Sequence, residues 1–137
     1  MTFETHPNFK EKIFILDLPL CRVFLENEKH YPWLILVPRR TGVSRMMELS
    51  LQDQLLLMQE MHIAQTVLWN NFQPKQLNVA AIGNKTPQLH IHIIARYQED
   101  PAWPSTVWDH PIRKTYKESE KLALIEKIKK LFEHPQI

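Results

Sequence analysis

The sequence predicts an α+β fold, an antiparallel sheet of about five strands with one long helix packed on it and a second, C-terminal helix. Three observations predict it. Short apolar runs of strand length, punctuated by prolines, lie at 13–16, 20–25, 33–37, 77–82 and 88–97. A long stretch of helical periodicity follows Ser50 and separates the third run from the fourth. A second amphipathic stretch follows Thr115 near the end of the chain. With 137 residues and no internal repeat or linker, residues 1–137 are expected to form a single domain able to bury its own core.

The elements follow in order. Ile13 to Leu16 and Leu20 to Leu25 read as strands split by the break Asp17-Leu18-Pro19. The polar stretch ENEKHY, residues 26–31, has hairpin length, and Pro32 and Pro38 bracket WLILV, which reads as a buried strand. Ser50-Leu51-Gln52-Asp53 has capping-box spacing. Beyond it Leu57, Met61, Ala64 and Leu68, flanked by Leu56, Ile63 and Val67, form an apolar stripe, and the helix should end near Asn70-Asn71. Met58 and Met61 read as core filler and His62 as a surface residue. Leu77 to Ile82 should pair antiparallel with the run that follows the turn Gly83-Asn84-Lys85-Thr86-Pro87. After Tyr97, three prolines and two tryptophans make residues 98–114 irregular, the kind of segment that often covers a core edge or serves function. Thr115 to Glu118 has the spacing of a second capping box, opening a helix with Leu122, Ile125, Ile128 and Phe132 on its apolar face.

Composition excludes several classes. Hydrophobic residues make up 44% and charged residues 23%, ordinary for a soluble globular chain. One cysteine, Cys21, rules out an internal disulfide and any multi-cysteine zinc site, and it fits a reducing compartment. The start MTFETHPNFKEK lacks the apolar centre of a signal peptide, and no apolar run is long enough to span a bilayer, so a cytoplasmic protein without a membrane partner is expected. A formal net charge of +2 gives no reason to expect nucleic acid as a partner. The local clusters Arg39, Arg40, Arg45 and Lys127, Lys129, Lys130 read first as solvated charge, although the arginines follow a strand end where an anion could sit.

The stretch PQLHIHIIAR, residues 87–96, is the unusual one. Strand periodicity puts Gln88, His90, His92, Ile94 and Arg96 on one face and Leu89, Ile91, Ile93, Ala95 and Tyr97 on the other. Two imidazoles on one face admit three readings. They can hold a metal, but no nearby cysteine or carboxylate has ligand spacing for a third position. They can be buried structural histidines, but two of them with an amide are a dense polar load for a core. Or the row is a reaction surface. A neutral imidazole attacks phosphorus, and a phosphoimidazole splits one hard displacement into two easier ones. The second imidazole would hold phosphate oxygens or relay a proton, and the amides of the turn 83–86 would bind the remaining charge. That chemistry needs neither metal nor cofactor.

QLHIHII resembles the signature of the histidine triad superfamily, His-φ-His-φ-His-φ-φ with φ apolar, with Gln88 in place of the first histidine and His90 and His92 in place of the second and third. Upstream, WLILVPRRTGVSRMMEL is similar to the strand, proline and short helix that precede that family's long helix, so the resemblance covers roughly residues 12–97. The trailing AWPSTVW is similar to bacterial members with glutamine in the first place.

The resemblance implies a HIT-like fold and hydrolysis or transfer of a nucleotidyl group from a purine nucleotide partner. Dinucleoside polyphosphates, nucleoside phosphoramidates and nucleotidylated conjugates are the substrate classes, and a nucleotide-binding protein with little turnover is the alternative. It makes His90 the nucleophile, with His92 contacting the scissile phosphate or the bridging and leaving-group atoms. His90 attacks freely if its other nitrogen donates to a backbone carbonyl. Asn27 is the expected ribose contact, and Asn84, with Lys85 and Thr86, the expected phosphate contact. Gln88 can bind phosphate but cannot titrate, so Gln88→His should leave turnover intact or raise it. The resemblance also implies a homodimer joined around the long helix and an adjoining strand, with Trp33 and Trp69 as spare apolar surface.

Overall fold

In a computed structural model, residues 2–111 and 113–134 are described. Five strands, β1 Ile13–Asp17, β2 Cys21–Leu25, β3 Trp33–Pro38, β4 Gln76–Ala80 and β5 Ile91–Arg96, form one antiparallel sheet in the order β1-β2-β3-β5-β4. Helix α1 spans Leu51–Phe72 and α2 spans Glu118–Glu133. The α+β architecture is the expected one.

Strand alternation sends side chains to both sides of the sheet, and both sides are covered. On one side Val23, Leu34, Leu36, Ile91 and Ile93 pack against Leu57, Ala64 and Leu68 of α1 and Ile128 and Phe132 of α2. On the other, Phe24, Trp33, Ile35, Val37 and Ile94 pack under Phe9 from the N-terminal segment and Ala102 and Val107 from the segment after β5. This double covering explains why β3 and β5 are buried at every position and why WLILV reads as a continuous apolar run rather than an alternating one.

Helix α1 starts where Ser50 Oγ accepts the Asp53 amide at 3.1 Å. Asp53 completes no reciprocal box, because its carboxylate binds Arg40. The helix runs to Phe72, slightly past the expected end, and stops where Gln73 takes a left-handed conformation (φ 49°) before Pro74. Glu60, buried in α1, accepts the amides of Leu20 and Cys21 at 2.8 Å each and so fastens the β1–β2 turn to the helix. Met61 and His62 sit as expected, half-buried and exposed. Met58 does not. It is 63% exposed, in line with exposed Leu51, Leu55 and Trp69, so α1 carries a second apolar stripe pointing away from its own sheet.

Three other expectations are corrected. Helix α2 begins at Glu118 with Lys117 as its cap residue, and Glu120 accepts the Lys117 amide at 2.8 Å, so the Thr115 box is not used. Its buried stripe passes through Leu124, Ile125, Ile128 and Phe132 and leaves Leu122 exposed. Trp33 is 3% exposed, so it is core rather than spare surface.

Candidate active site

Strand β5 carries His92, and His90 immediately precedes it, both on the face away from the helices. Their ring centroids lie 5.0 Å apart, and both rings are almost buried. Each imidazole has one nitrogen committed by a neighbour. His90 Nδ1 lies 2.8 Å from the Gln88 carbonyl oxygen. A carbonyl only accepts, so Nδ1 carries the hydrogen and Nε2 keeps a free lone pair. His92 Nδ1 lies 3.0 Å from the indole nitrogen of Trp33. An indole N–H only donates, so Nδ1 is the acceptor and the hydrogen sits on Nε2. One row therefore offers a lone pair at His90 and an N–H donor at His92.

Electrostatics favour the neutral forms. Burial lowers the His90 pKa, as does the Lys12 ammonium, against the opposing bond to the Gln88 carbonyl. His92 is pushed down to about 3, first by burial and then by the neighbouring His90 and Lys12. Lys12 itself is held by Glu26, which also accepts from Arg113 at 2.7 Å. At neutral pH the row holds two uncharged imidazoles with defined tautomers.

A cleft of about 630 Å³ opens onto the row. Asn84, Lys85 and Thr86 line it together with His90 and His92, so five of the seven residues expected at the site meet there. Gly83 takes a positive φ of 64° where the loop turns. Thr106 and Trp108 form another part of the wall, and Ala80 and Ile82 a third. Behind His90 lies a smaller hollow of about 160 Å³ that includes Ser44 and Arg45. Arg45 is the one arginine of its cluster found beside the row. Arg39 donates to the Leu18 and Pro19 carbonyls, and Arg40 pairs with Asp53. Among the described residues no group of three or more His, Cys, Asp or Glu is arranged to hold a metal ion.

The other two expected residues are placed elsewhere. Gln88 precedes β5 instead of lying within it, and its amide is spent on the N-terminal segment. Its Oε1 accepts the His6 amide at 2.8 Å and its Nε2 donates to the Glu4 carbonyl at 2.9 Å. Asn8 adds a bond to Thr86 Oγ1 at 2.9 Å. The latched segment lays Phe9 edge-on against His90, with centroids 5.1 Å apart, and stacks it on Phe24 at 5.9 Å. Gln88 thus meets His90 through its backbone carbonyl and not through its side chain. Asn27 does not line the cleft. Its Oδ1 accepts the Tyr116 amide at 2.9 Å and ties the β2–β3 connection to the approach of α2.

Trp33, Phe9, Lys12 and Trp108 belong to the surroundings of the site without having been singled out for it. Trp33 was legible in part, since alternation along β3 puts it on the same face as Ile35, whose backbone partner is His92. Arg96 shares the histidine face and is buried, paired with Asp100 at 2.8 Å and donating to the Ser105 carbonyl.

The matching family model is the HIT domain, over residues 8–99. This chain belongs to the HIT domain family. Three solved structures are similar to this HIT protein over nearly their whole length. A histidine triad protein from Marinobacter aquaeolei is 35% identical with a TM-score of 0.93, covering 99% of this chain and 100% of its own. One from Bradyrhizobium japonicum is 36% identical with a TM-score of 0.91, covering 95% and 98%. A third, from Sinorhizobium meliloti, is 34% identical with a TM-score of 0.90, covering 94% and 96%. No curated protein matches the chain.

Proposed function

We propose that this HIT protein hydrolyses or transfers a nucleotidyl group through an intermediate on His90. The observation that carries the reading is the pair of opposed tautomers, a lone pair at His90 Nε2 beside an N–H donor at His92 Nε2. In the first step Nε2 of His90 bonds to the nucleotidyl phosphorus. The bond from phosphorus to the leaving atom breaks, and that atom keeps the electron pair and takes a proton from solvent. His92 donates a hydrogen bond to the departing atom or a phosphate oxygen and transfers no proton, since a neutral imidazole is a very weak acid. Positive charge developing on the His90 ring is stabilised by its Nδ1–H bond to the Gln88 carbonyl. Water then attacks phosphorus, the Nε2–P bond breaks, the water proton leaves to solvent, and a nucleoside monophosphate is released. Asn84, Lys85 and Thr86 line the cleft where phosphate oxygens would lie, supporting their role as phosphate contacts.

The same family resemblance supports a purine nucleotide as substrate and a homodimer as the working form. The exposed stripe Leu51, Leu55, Met58 and Trp69 on α1, together with Val79 on edge strand β4, is the apolar surface a second copy would cover. A reducing, cytoplasmic setting suits the buried free thiol of Cys21, whose pKa is raised by burial and by Glu60.

The test is acid-quenched mass spectrometry of the protein with adenosine phosphoramidates and diadenosine polyphosphates. An adduct of one nucleotidyl mass in the wild type, absent in His90→Ala together with a loss of turnover of several orders of magnitude, is the expected result. Tight nucleotide binding with no adduct and no turnover would replace this reading with a binding protein.

A further inference from the structure

A second cavity, of about 450 Å³, lies between the N-terminal segment and the outer strands β1 and β2. It shares no lining residue with the cleft. Phe9 joins the two regions, since it meets His90 edge-on and stacks on Phe24, and both phenyl rings line the cavity. Phe14 completes the aromatic lining. Its ring is 50% exposed and meets Phe24 edge-on at 6.2 Å. The polar wall is fastened in place. Arg22 donates through Nε and Nη2 to Asp17 at 2.9 and 3.2 Å and through Nη1 to Thr5 at 2.8 Å, and its guanidinium lies 6.0 Å from the centre of the Phe14 ring. The Gln88 side chain holds the backbone of His6 from the other end.

The polar side chains of this lining all have a hydrogen to donate. Thr5 accepts from Arg22 and keeps its own O–H, and His6 accepts the Asn8 amide on Nδ1 at 3.0 Å, so its hydrogen sits on Nε2. Lys10 and Lys12 add two ammonium groups, and among the described residues no carboxylate lines the cavity. Asp17 balances Arg22 and Glu26 balances Lys12. Lys10 forms no salt bridge among the described residues, so one positive charge is left over. A single negative charge balances it. Ionised acceptors take the strongest hydrogen bonds from such donors, and phenyl rings receive another ring edge-on or offset-stacked. We propose that the cavity binds a small aromatic carboxylate, with its ring among Phe9, Phe14 and Phe24 and its carboxylate against Lys10 and Lys12. The volume is in the range of sites for small organic ligands. This site stands apart from the nucleotidyl chemistry of His90 and does not depend on it.

Amide chemical-shift titration of the full chain with three probes tests it. 2-Naphthoate carries both ring and charge, 2-naphthylmethanol lacks the charge, and decahydro-2-naphthoate lacks the aromatic ring. Naphthoate should bind with a Kd of about 1 mM or tighter, and the other two about tenfold more weakly. The shifts should centre on residues 5–14 and 22–24, and His90→Ala should bind naphthoate as the wild type does. Lys10→Glu and Phe14→Ala change exposed side chains and should each weaken naphthoate by about tenfold. No binding of naphthoate, equal affinity for all three probes, or affinity unchanged in both variants overturns the site. Shifts centred on residues 80–92 overturn it as well, because they put the probe in the cleft. None of these outcomes bears on nucleotidyl transfer, which the adduct measurement tests separately.

Discussion

The indole N–H of Trp33 donates to Nδ1 of His92 at 3.0 Å, and this bond determines which nitrogen of His92 carries its hydrogen. The residue supplying it is on a different strand, 59 positions away, and is itself buried. A strand once read as plain core therefore sets the chemical character of the site.

Removing that donor should release the His92 tautomer. In Trp33→Phe the ring is free to carry its hydrogen on either nitrogen, so the fixed donor is lost for part of the time. Turnover should fall by about tenfold, as for a weakened transition-state hydrogen bond. Long-range proton–nitrogen NMR should show His92 changing from the Nε2–H form to a mixture. An unchanged tautomer with unchanged turnover would mean that Trp33 only fills space.

The rate should survive into acid. On the proposed route His90 must be neutral, and burial lowers its pKa below the ordinary value of about 6.5. Protonation then removes activity only at a pH below that value, so the acid limb of kcat/KM should fall below pH 6.5. An acid limb at or above pH 6.5 would show that the ring is better solvated than its packing under Phe9 implies.

Stability should move the opposite way. His92 titrates near 6.5 in the unfolded chain and near 3 in the folded one. Between those values the unfolded chain binds the extra proton, so stability is complete above pH 6.5 and is lost progressively as pH falls toward 3. Between pH 7 and 5 this amounts to about 1–2 kcal/mol. Urea midpoints at the two pH values should show the loss in wild type and a smaller one in His92→Gln. The carboxyl of Asp100, held below its usual range by Arg96 and neighbouring amides, adds to the loss only at lower pH.

Gln88 should behave as a latch. Gln88→Ala leaves its backbone carbonyl on His90 but deletes both bonds to Glu4 and His6. Amide exchange should accelerate across residues 4–9, and turnover should change by less than tenfold because the carbonyl remains. Gln88→His was expected to be neutral or beneficial when the side chain was taken to face phosphate. An imidazole cannot reproduce the amide's paired donor and acceptor at Glu4 and His6, so the variant should also loosen the segment. Unaltered exchange in both variants would show that the segment is held by Phe9 packing alone.

Much of the architecture was legible because it rests on local patterns. Alternation separated Leu89, Ile91, Ile93 and Ala95 from the histidine face, and spacing placed the buried stripe of α1. The free nitrogen of His90 was also foreseeable, since a carbonyl two residues back is within reach of its ring. What stayed hidden depended on distant partners. Gln88 looked like a member of the row until Glu4 and His6 came beside it, and nothing near Asn27 points to Tyr116. Trp33 and Met58 were misplaced for a common reason. An apolar residue declares that it avoids water, but not whether its own core or an open face receives it.

The strand order β1-β2-β3-β5-β4 has a consequence for synthesis. A nascent chain leaving the ribosome completes β1 to β3 and then α1 and β4, but β3 and β4 are not neighbours. β5, emerging later, has to enter between them and pair with both. Until residue 96 is clear of the exit tunnel, β3 carries an unpaired, wholly apolar edge, the kind of surface on which chains associate wrongly. The same strand brings the histidines. A ribosome stalled before it would hold a chain without its histidine row and with its most adhesive strand unprotected, so the candidate site and safety from aggregation arrive in one stroke of elongation.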